Sequence, residues 1–528
     1  MKSFWKQLDL RLQIILTLSV LSILYAFWQH FTSDILPIHE CRKSDSLTQA
    51  IQYMRGVNFF EPQTNYISPS GNRNAAAEFP IIYYLLGQIW KVTGYQLWIS
   101  KLMSLAILVT AITSLHRLLF WFFGTKQKAL LFSAIIFSAP VLIYYSDTVL
   151  PNVYSFSFLL LATSACFAYL QHRNWKNFLS FSLFLSLAIL IKVTALIAVL
   201  AFVGALFFHV LFTNSWKQYL TDKRFYWLSL SGILALLASL LWYRYAIWYN
   251  AFYESTIFST TIRPIWEVSL EEQIRIVNLV ITEHVKELYH QLILIPLTIM
   301  AFWALFKKQI PTYLRWLIVI SFIGLFSYFI LWFWVFDVHD YYLIEILFIP
   351  LILVAIYMKY GFLFVPSKRW RNGIAAFGLV LIFLNTISYT QVAAGHQNII
   401  VKNTPLTSSF IRGNWGWFYF NHGETLGQLQ AQKQMIQRFI SPSDTVFCFS
   451  DPYPNVHLTA IDRIGYSNYS LFRDQPFVPQ IHGLINQGAS KLLVLKQDTA
   501  HVDIKPFLVH QLYASGNVLI YDLRPFRK

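Results

Sequence analysis

The sequence is short of cysteine, of charge and of the motifs that mark soluble enzymes. Three cysteines stand among 528 residues: Cys41, Cys166 and Cys448. Their spacing is not that of a metal site. A Cys41–Cys448 bridge would need both in an oxidising compartment, and two free thiols are the expectation. Charged residues make up only 12% of the chain, about half the share of an ordinary soluble domain. No G-x-S-x-G, P-loop, H-E-x-x-H or dinucleotide fingerprint occurs in a suitable context, which argues against serine hydrolysis, ATP hydrolysis and zinc proteolysis. There is no repeat, heptad or low-complexity tract. Acids are few as well, 25 against 41 Lys and Arg, for a formal charge of +16. In a soluble protein that excess would point to nucleic acid. Here the cations gather in loops between apolar runs, where they hold topology, so no nucleic-acid partner is expected.

What is present is apolar: 56% hydrophobic residues and 18% aromatics. Runs of about 20 such residues cross a bilayer. Spans are expected near 12–29, 97–123, 129–145, 152–170, 177–191, 193–213, 225–247, 291–306, 316–335, 341–358 and 373–391, about 11 with a range of 11–13. The first is basic and then apolar with no small-residue cleavage site, and reads as an uncleaved span. With the N-terminus inside, the inner segments carry Lys2, Lys6 and Arg11, then Arg117, Lys126 and Lys128, then Arg173 and Lys176. Lys217, Lys223 and Arg224 follow, then Lys307, Lys308 and Arg315, and finally Lys359, Lys368, Arg369 and Arg371. The short outer turns, around Asp147, Lys192 and His339, hold a single Lys. The stretch 79–95 would invert every later loop if it spanned, so it is laid along the outer surface. The run 178–213 is too long for one span and is split near Lys192.

The outer side then receives a first loop (30–96), a second (248–290) and a polar tail from 392. In the second loop Leu270, Ile274, Val277, Ile281, Val285 and Leu288 share one helix face, expected on the membrane or the first loop. The tail has strand-like runs at Thr445–Ser450, Lys491–Leu495 and Val518–Leu523 and an amphipathic stretch at Gly427–Phe439, which indicates a small α/β domain. The expected division is 1–391 for the membrane domain and 392–528 for the soluble one.

The first loop opens on His39–Pro62, HECRKSDSLTQAIQYMRGVNFFEP. Leu47, Ala50, Ile51 and Met54 fall on one face of a short helix. Asp45 suits two roles. It can cap that helix, as can Ser44, or serve as a general base beside an acceptor hydroxyl; Glu40 is the rival base. Arg42, Lys43 and Arg73 can hold a phosphate or touch anionic headgroups. Lys192, between two apolar segments, is costly unless it reaches a polar cavity; snorkelling is the alternative. Tyr144–Asn152 puts Asp147 and Asn152 at an outer edge, and Asp337–Tyr342 puts His339, Asp340 and Tyr341 at another. Paired tyrosines at an interface ordinarily form an aromatic belt. Glu78, before Phe79 and Pro80, can favour a helix N-terminus. No ligand spacing supports a His/carboxylate metal site.

Together these pieces resemble a bacterial member of the GT-C superfamily of membrane glycosyltransferases, in the branch of protein O-mannosyltransferases and lipid A aminoarabinose transferases (glycosyltransferase family 39-like). The resemblance lies in RKSDSLTQAIQYMRGVNFFEP (42–62), EFPIIYYLLGQIWKVTG (78–94), YYSDTVLPNVYSF (144–156), ILIKVTAL (189–196) and HDYYLI (339–344), in that order over about 1–391. It implies a polytopic GT-C membrane domain with a periplasmic C-terminal α/β domain in a bacterial inner membrane, N-terminus cytoplasmic. It also implies inverting transfer of a sugar from a polyprenyl (undecaprenyl) phosphate to a hydroxyl of a cell-envelope glycolipid, polysaccharide or protein, with no cofactor required. The first-loop Asp would be the base, a role that falls to Asp45 with Glu40 as its rival. The family has a Lys before the Pro of the surface helix where this chain has Glu78 and Phe79. Phosphate binding then falls to Arg42, Arg73 or Lys192. A second family Asp corresponds to Asn152, with Asp147 as its substitute. Two other classes stand beside this reading, a transporter or flippase of lipid-linked sugars and a polysaccharide polymerase or ligase. A transporter should show repeats and midplane charges, whereas the acids here sit in long outer loops.

Overall fold

The computed structural model describes residues 8–27, 31, 39–258, 262–393, 405–407, 409, 412–413 and 424–528. Two compact units emerge: Met1–Phe31 with Lys101–Trp242 and Thr261–Gly413, and Thr32–Ser100 with Tyr243–Thr260 and Asn414–Lys528.

The first unit is a bundle of apolar helices, and the chain is a polytopic helical membrane protein. Six helices are long and apolar enough to cross a bilayer: Leu97–Phe123, Pro151–His172, Val193–Thr213, Lys223–Phe252, Thr312–Leu331 and Lys368–Val392. Two bent pairs add Leu270–Leu288 with Gln291–Leu305, at 95°, and Asp340–Ile346 with Phe348–Leu363, at 46°. Leu10–Leu24 and Trp175–Ile191 are shorter apolar helices. Residues 28 and 29 of the first expected span lie outside the described residues. The expected span 129–145 is two helices, Lys126–Phe137 and Pro140–Tyr145, interrupted where Pro140 has no N–H to offer the preceding turn. The split near Lys192 is present. The helix ends at Ile191, Lys192 is extended (φ −150°, ψ 109°), and a short 3-10 turn leads into Leu196–Thr213.

Turns that the charge pattern assigns to one side touch each other. Arg11 Nε donates to His116 at 2.9 Å, Lys128 to the Met358 carbonyl at 2.6 Å, and Arg224 to the Leu170 carbonyl at 2.6 Å. On the apolar face expected for 270–288, Leu270, Ile274 and Ile281 are exposed, whereas Leu288 is buried. Ile276 and Leu279 are buried before a π-helical turn at Val280–His284, and the turn shifts the phase so that His284 and Glu287 are buried after it.

The second unit joins the first loop to the tail. Its sheet has the order β2-β1-β3-β5-β4, with β1 Thr445–Cys448, β2 Gly465–Ser467, β3 Ala489–Leu495, β4 Gln511–Ser515 and β5 Val518–Asp522. β2, β1 and β3 are parallel; β5 is antiparallel to β3 and to β4. The three strand-like runs of the tail are therefore strands. The first loop extends the sheet past β2: Gly465 N–H donates to the Asn65 carbonyl at 3.0 Å and Ile67 N–H to the Gly465 carbonyl at 2.7 Å.

Two helices of the first loop pack on each other, Glu40–Met54 and Ile81–Thr93. Leu47, Ala50 and Ile51 are buried and Met54 is half-buried. Gly87 allows the close approach, because a Cβ there would lie 2.7 Å from the Ala50 carbonyl oxygen. The second helix has 13 residues, about 20 Å of rise, too short for the roughly 30 Å of hydrocarbon in a bilayer. It agrees with the surface placement of 79–95.

Candidate active site

The expected site residues fall into two clusters, one in each unit. In the second unit the Glu40–Met54 helix starts earlier than the capping reading requires. His39, in the left-handed region (φ 51°), occupies the N-cap position and Glu40 is the first helical residue. Ser44 and Asp45 therefore sit in the second turn and cap nothing. Asp45 is buried, and its Oδ1 accepts from Asn455 Nδ2 at 2.8 Å. Burial pushes its carboxyl up to about 6, against the opposing pull of the Asn455 hydrogen bond and the Arg42 charge. Glu40 and Lys43 are buried on the same helix. Arg42 pairs with Glu78 and lies over the Phe258 ring, 5.6 Å from its centroid. Glu78 thus serves the guanidinium rather than a helix end. Arg73 is held elsewhere in the unit, donating to Gln52 Oε1 at 3.2 Å and Gln63 Oε1 at 2.8 Å. Gln52 lies two turns beyond Asp45, about 10 Å along the helix.

Asp451 was invisible to sequence reasoning. It lies in the loop after β1, fully buried, and accepts from the backbone N–H of Tyr453 at 3.1 Å and of His457 at 2.6 Å. Burial pushes it up to about 8, and the neighbouring Glu40 and Asp45 carboxylates add to the rise. The two carboxyl groups are thereby set apart: at neutral pH Asp45 is mostly ionised and Asp451 mostly protonated. Environments that separate two acids in this way assign them different tasks. Cys41 and Cys448 are both free; the Cys41 thiol points to Asp45 Oδ2 at 3.9 Å.

A pH dependence follows. A base of this kind works only when ionised, so any reaction it drives should fall about tenfold per pH unit below about 6. Asn455→Leu removes a bond that favours the ionised form. Its acid limb should move to higher pH, read from kcat/KM against pH, while the alkaline limb stays.

The second cluster lies in the first unit, at the turns expected to face outward. Lys192 sits over the Tyr342 ring at 4.5 Å and acts electrostatically on Glu345. Glu345 accepts from Asn152 Nδ2 at 2.9 Å. A cation at a break between apolar helices has therefore reached a polar pocket, as its cost requires. Asp147 is buried in the turn between Pro140–Tyr145 and Pro151–His172. Asp340 accepts from the hydroxyl of Tyr145 at 2.5 Å and bonds that of Tyr144. Both tyrosines are buried, so they are not an aromatic belt. The Tyr144 hydroxyl also lies 3.0 Å from a Glu287 carboxyl oxygen, and Glu287 meets His284 Nδ1 at 2.7 Å. The π-helical turn brings this last pair inward, which a regular helical period in the sequence conceals. The Tyr341 ring lies 5.3 Å from His339 and 5.9 Å from Tyr145. Among the described residues no three His, Cys, Asp or Glu side chains gather as metal ligands.

By sequence the chain matches no family model and no curated protein. Its fold does match solved structures. The crystal structure of ArnT from Cupriavidus metallidurans in the apo state aligns over 98% of this chain and 98% of that one, with a TM-score of 0.56 and 11% identity. The chain has an ArnT-like fold. The same ArnT bound to undecaprenyl phosphate aligns over 98% of this chain and 99% of that one, at a TM-score of 0.53 and 11% identity. The ArnT-like fold thus takes in the apolar helices and the tail alike, and both clusters lie within it. It is the fold that the GT-C resemblance implies.

Proposed function

We propose that this protein is an inverting glycosyltransferase. It moves a sugar from a polyprenyl-phosphate donor to a hydroxyl of a cell-envelope acceptor at the periplasmic face of a bacterial inner membrane. The observation that carries the reading is Asp45, a buried carboxylate held by Asn455 within a fold shared end to end with an ArnT that binds undecaprenyl phosphate. The donor's phosphate is already a leaving group, so no nucleotide is required. In the first unit Lys192, over the Tyr342 ring and acting on Glu345, is a cation of the kind that holds a lipid phosphate. Asp45 takes the proton of the acceptor hydroxyl as its oxygen attacks the anomeric carbon. The carbon–phosphate oxygen bond breaks as the new glycosidic bond forms, and one such displacement inverts the centre. Glu40, on the same helix, is the competing base.

Purified protein, radiolabelled undecaprenyl-phosphate sugars and envelope fractions test the proposal. Label should pass to the envelope fraction with inverted configuration. No transfer from any lipid-phosphate sugar, with the lipid still bound, would turn the reading toward a transporter. Lys192→Met should weaken binding of undecaprenyl phosphate by roughly 10–100-fold, the worth of a charged hydrogen bond. Unchanged affinity removes Lys192 from the phosphate site.

A further inference from the structure

A polar cavity of about 750 Å³ opens in the second unit, within the size range of small-ligand sites. The first turn of the Glu40–Met54 helix, the loop after β1, the end of β3 and the β4–β5 turn form its walls, together with the helix Glu424–Ala431. Three acids are among its lining residues, Glu40, Asp451 and Asp498, together with Tyr453, His457 and Asn517. Among the described residues no Lys or Arg lines it. Gln428, also on the wall, has its Oε1 buried with no hydrogen-bond partner among the described residues. A buried acceptor of this kind is normally satisfied by a donor.

The lining selects a chemistry. A phosphate, sulfate or uronate would meet the acids Glu40 and Asp498 and no cation, and like charges brought together cost several kcal/mol. An acyl chain would strip water from carboxylates without replacing their hydrogen bonds. Hydroxyl and amine groups, by contrast, donate charge-assisted bonds to carboxylates. The position is equally specific. Asp451 feels the Asp45 charge, and Asn455, which holds Asp45, follows Asp451 by one short loop.

We propose that this cavity is the acceptor subsite, and that it takes a neutral or amine-bearing saccharide and rejects phosphorylated and uronic ones. The proposal rests on the glycosyltransferase reading and deepens it. The full chain in detergent, without donor, is titrated calorimetrically with chitobiose, N,N′-diacetylchitobiose, digalacturonate and glucosamine 6-phosphate. Both chitobioses should bind, and digalacturonate and the sugar phosphate should not. Asp498→Asn should weaken chitobiose about tenfold, and Asn517→Trp, which puts an indole on the wall of the cavity, should abolish binding. Both variants should keep the wild-type melting temperature and affinity for undecaprenyl phosphate. Digalacturonate or the sugar phosphate binding as tightly as chitobiose, no saccharide binding, or saccharide binding indifferent to both variants each overturns the proposal. Saccharide binding that persists while no transfer occurs counts instead against the glycosyltransferase reading.

Discussion

Asp45→Asn should lower the rate of sugar transfer by about 10²–10⁴, the range for loss of a general base. The substitution keeps the shape of a side chain that sits beside Asn455, so the fold and the binding of undecaprenyl phosphate should be preserved. The loss should appear in kcat, because the proton moves only as the acceptor attacks. Glu40→Gln is the matched comparison. Both carboxylates are buried on one helix, but it is Asp45 that the Asn455 amide orients. Glu40→Gln should therefore cost less than Asp45→Asn. Single-turnover transfer, measured for both variants, decides between them. Full transfer by Asp45→Asn, or the larger loss in Glu40→Gln, moves the base to Glu40.

The second large effect is on stability. A Cβ on Gly465 would stand 1.8 Å from the Val446 carbonyl oxygen, so Gly465→Ala forces β2 away from β1. The same residue exchanges backbone hydrogen bonds with Asn65 and Ile67, so the first loop is pushed off as well. Overpacking costs about 1–3 kcal/mol, and each lost hydrogen bond about 1 kcal/mol more. The sum of about 3–5 kcal/mol corresponds to a fall of roughly 10 °C in the melting of a unit this size, followed by thermal unfolding in detergent. Gly483→Ala is the control. A Cβ there meets nothing within 4 Å, and the residue lies inside the helix Phe477–Asn486, so its melting temperature should stay level or rise. Equal melting of the two variants would remove the close approach as the reason for glycine at 465.

What could be read without coordinates follows from how local each signal is. Apolar runs, basic turns and the break at Lys192 are properties of about 20 neighbouring residues, and the corresponding helices are present. β1, β3 and β5 were legible as short hydrophobic runs. β2 was not: Gly465–Ser467 is three residues long, and its glycine answers to a neighbouring strand. β4 is an exposed edge with little hydrophobic signal. The start of the Glu40–Met54 helix was misjudged because Ser44 and Asp45 are good caps by residue type. In the folded unit Asp45 is buried against Asn455 instead. That contact joins residues 410 positions apart, and no window along the chain contains both. Glu287 was missed because a π-helical turn resets the phase just before it.

The same separation sets the order of events during synthesis. The Glu40–Met54 helix emerges early, but Asn455 and Gly465 come from the far end of the chain. At the usual 5–20 residues per second, the intervening 410 residues take about 20–80 s to make. Over that interval the helix carries its acids without the side chains that later enclose them. The Asp45–Asn455 contact is therefore formed late, and a chain shorter than 455 residues has no Asn455 to orient Asp45.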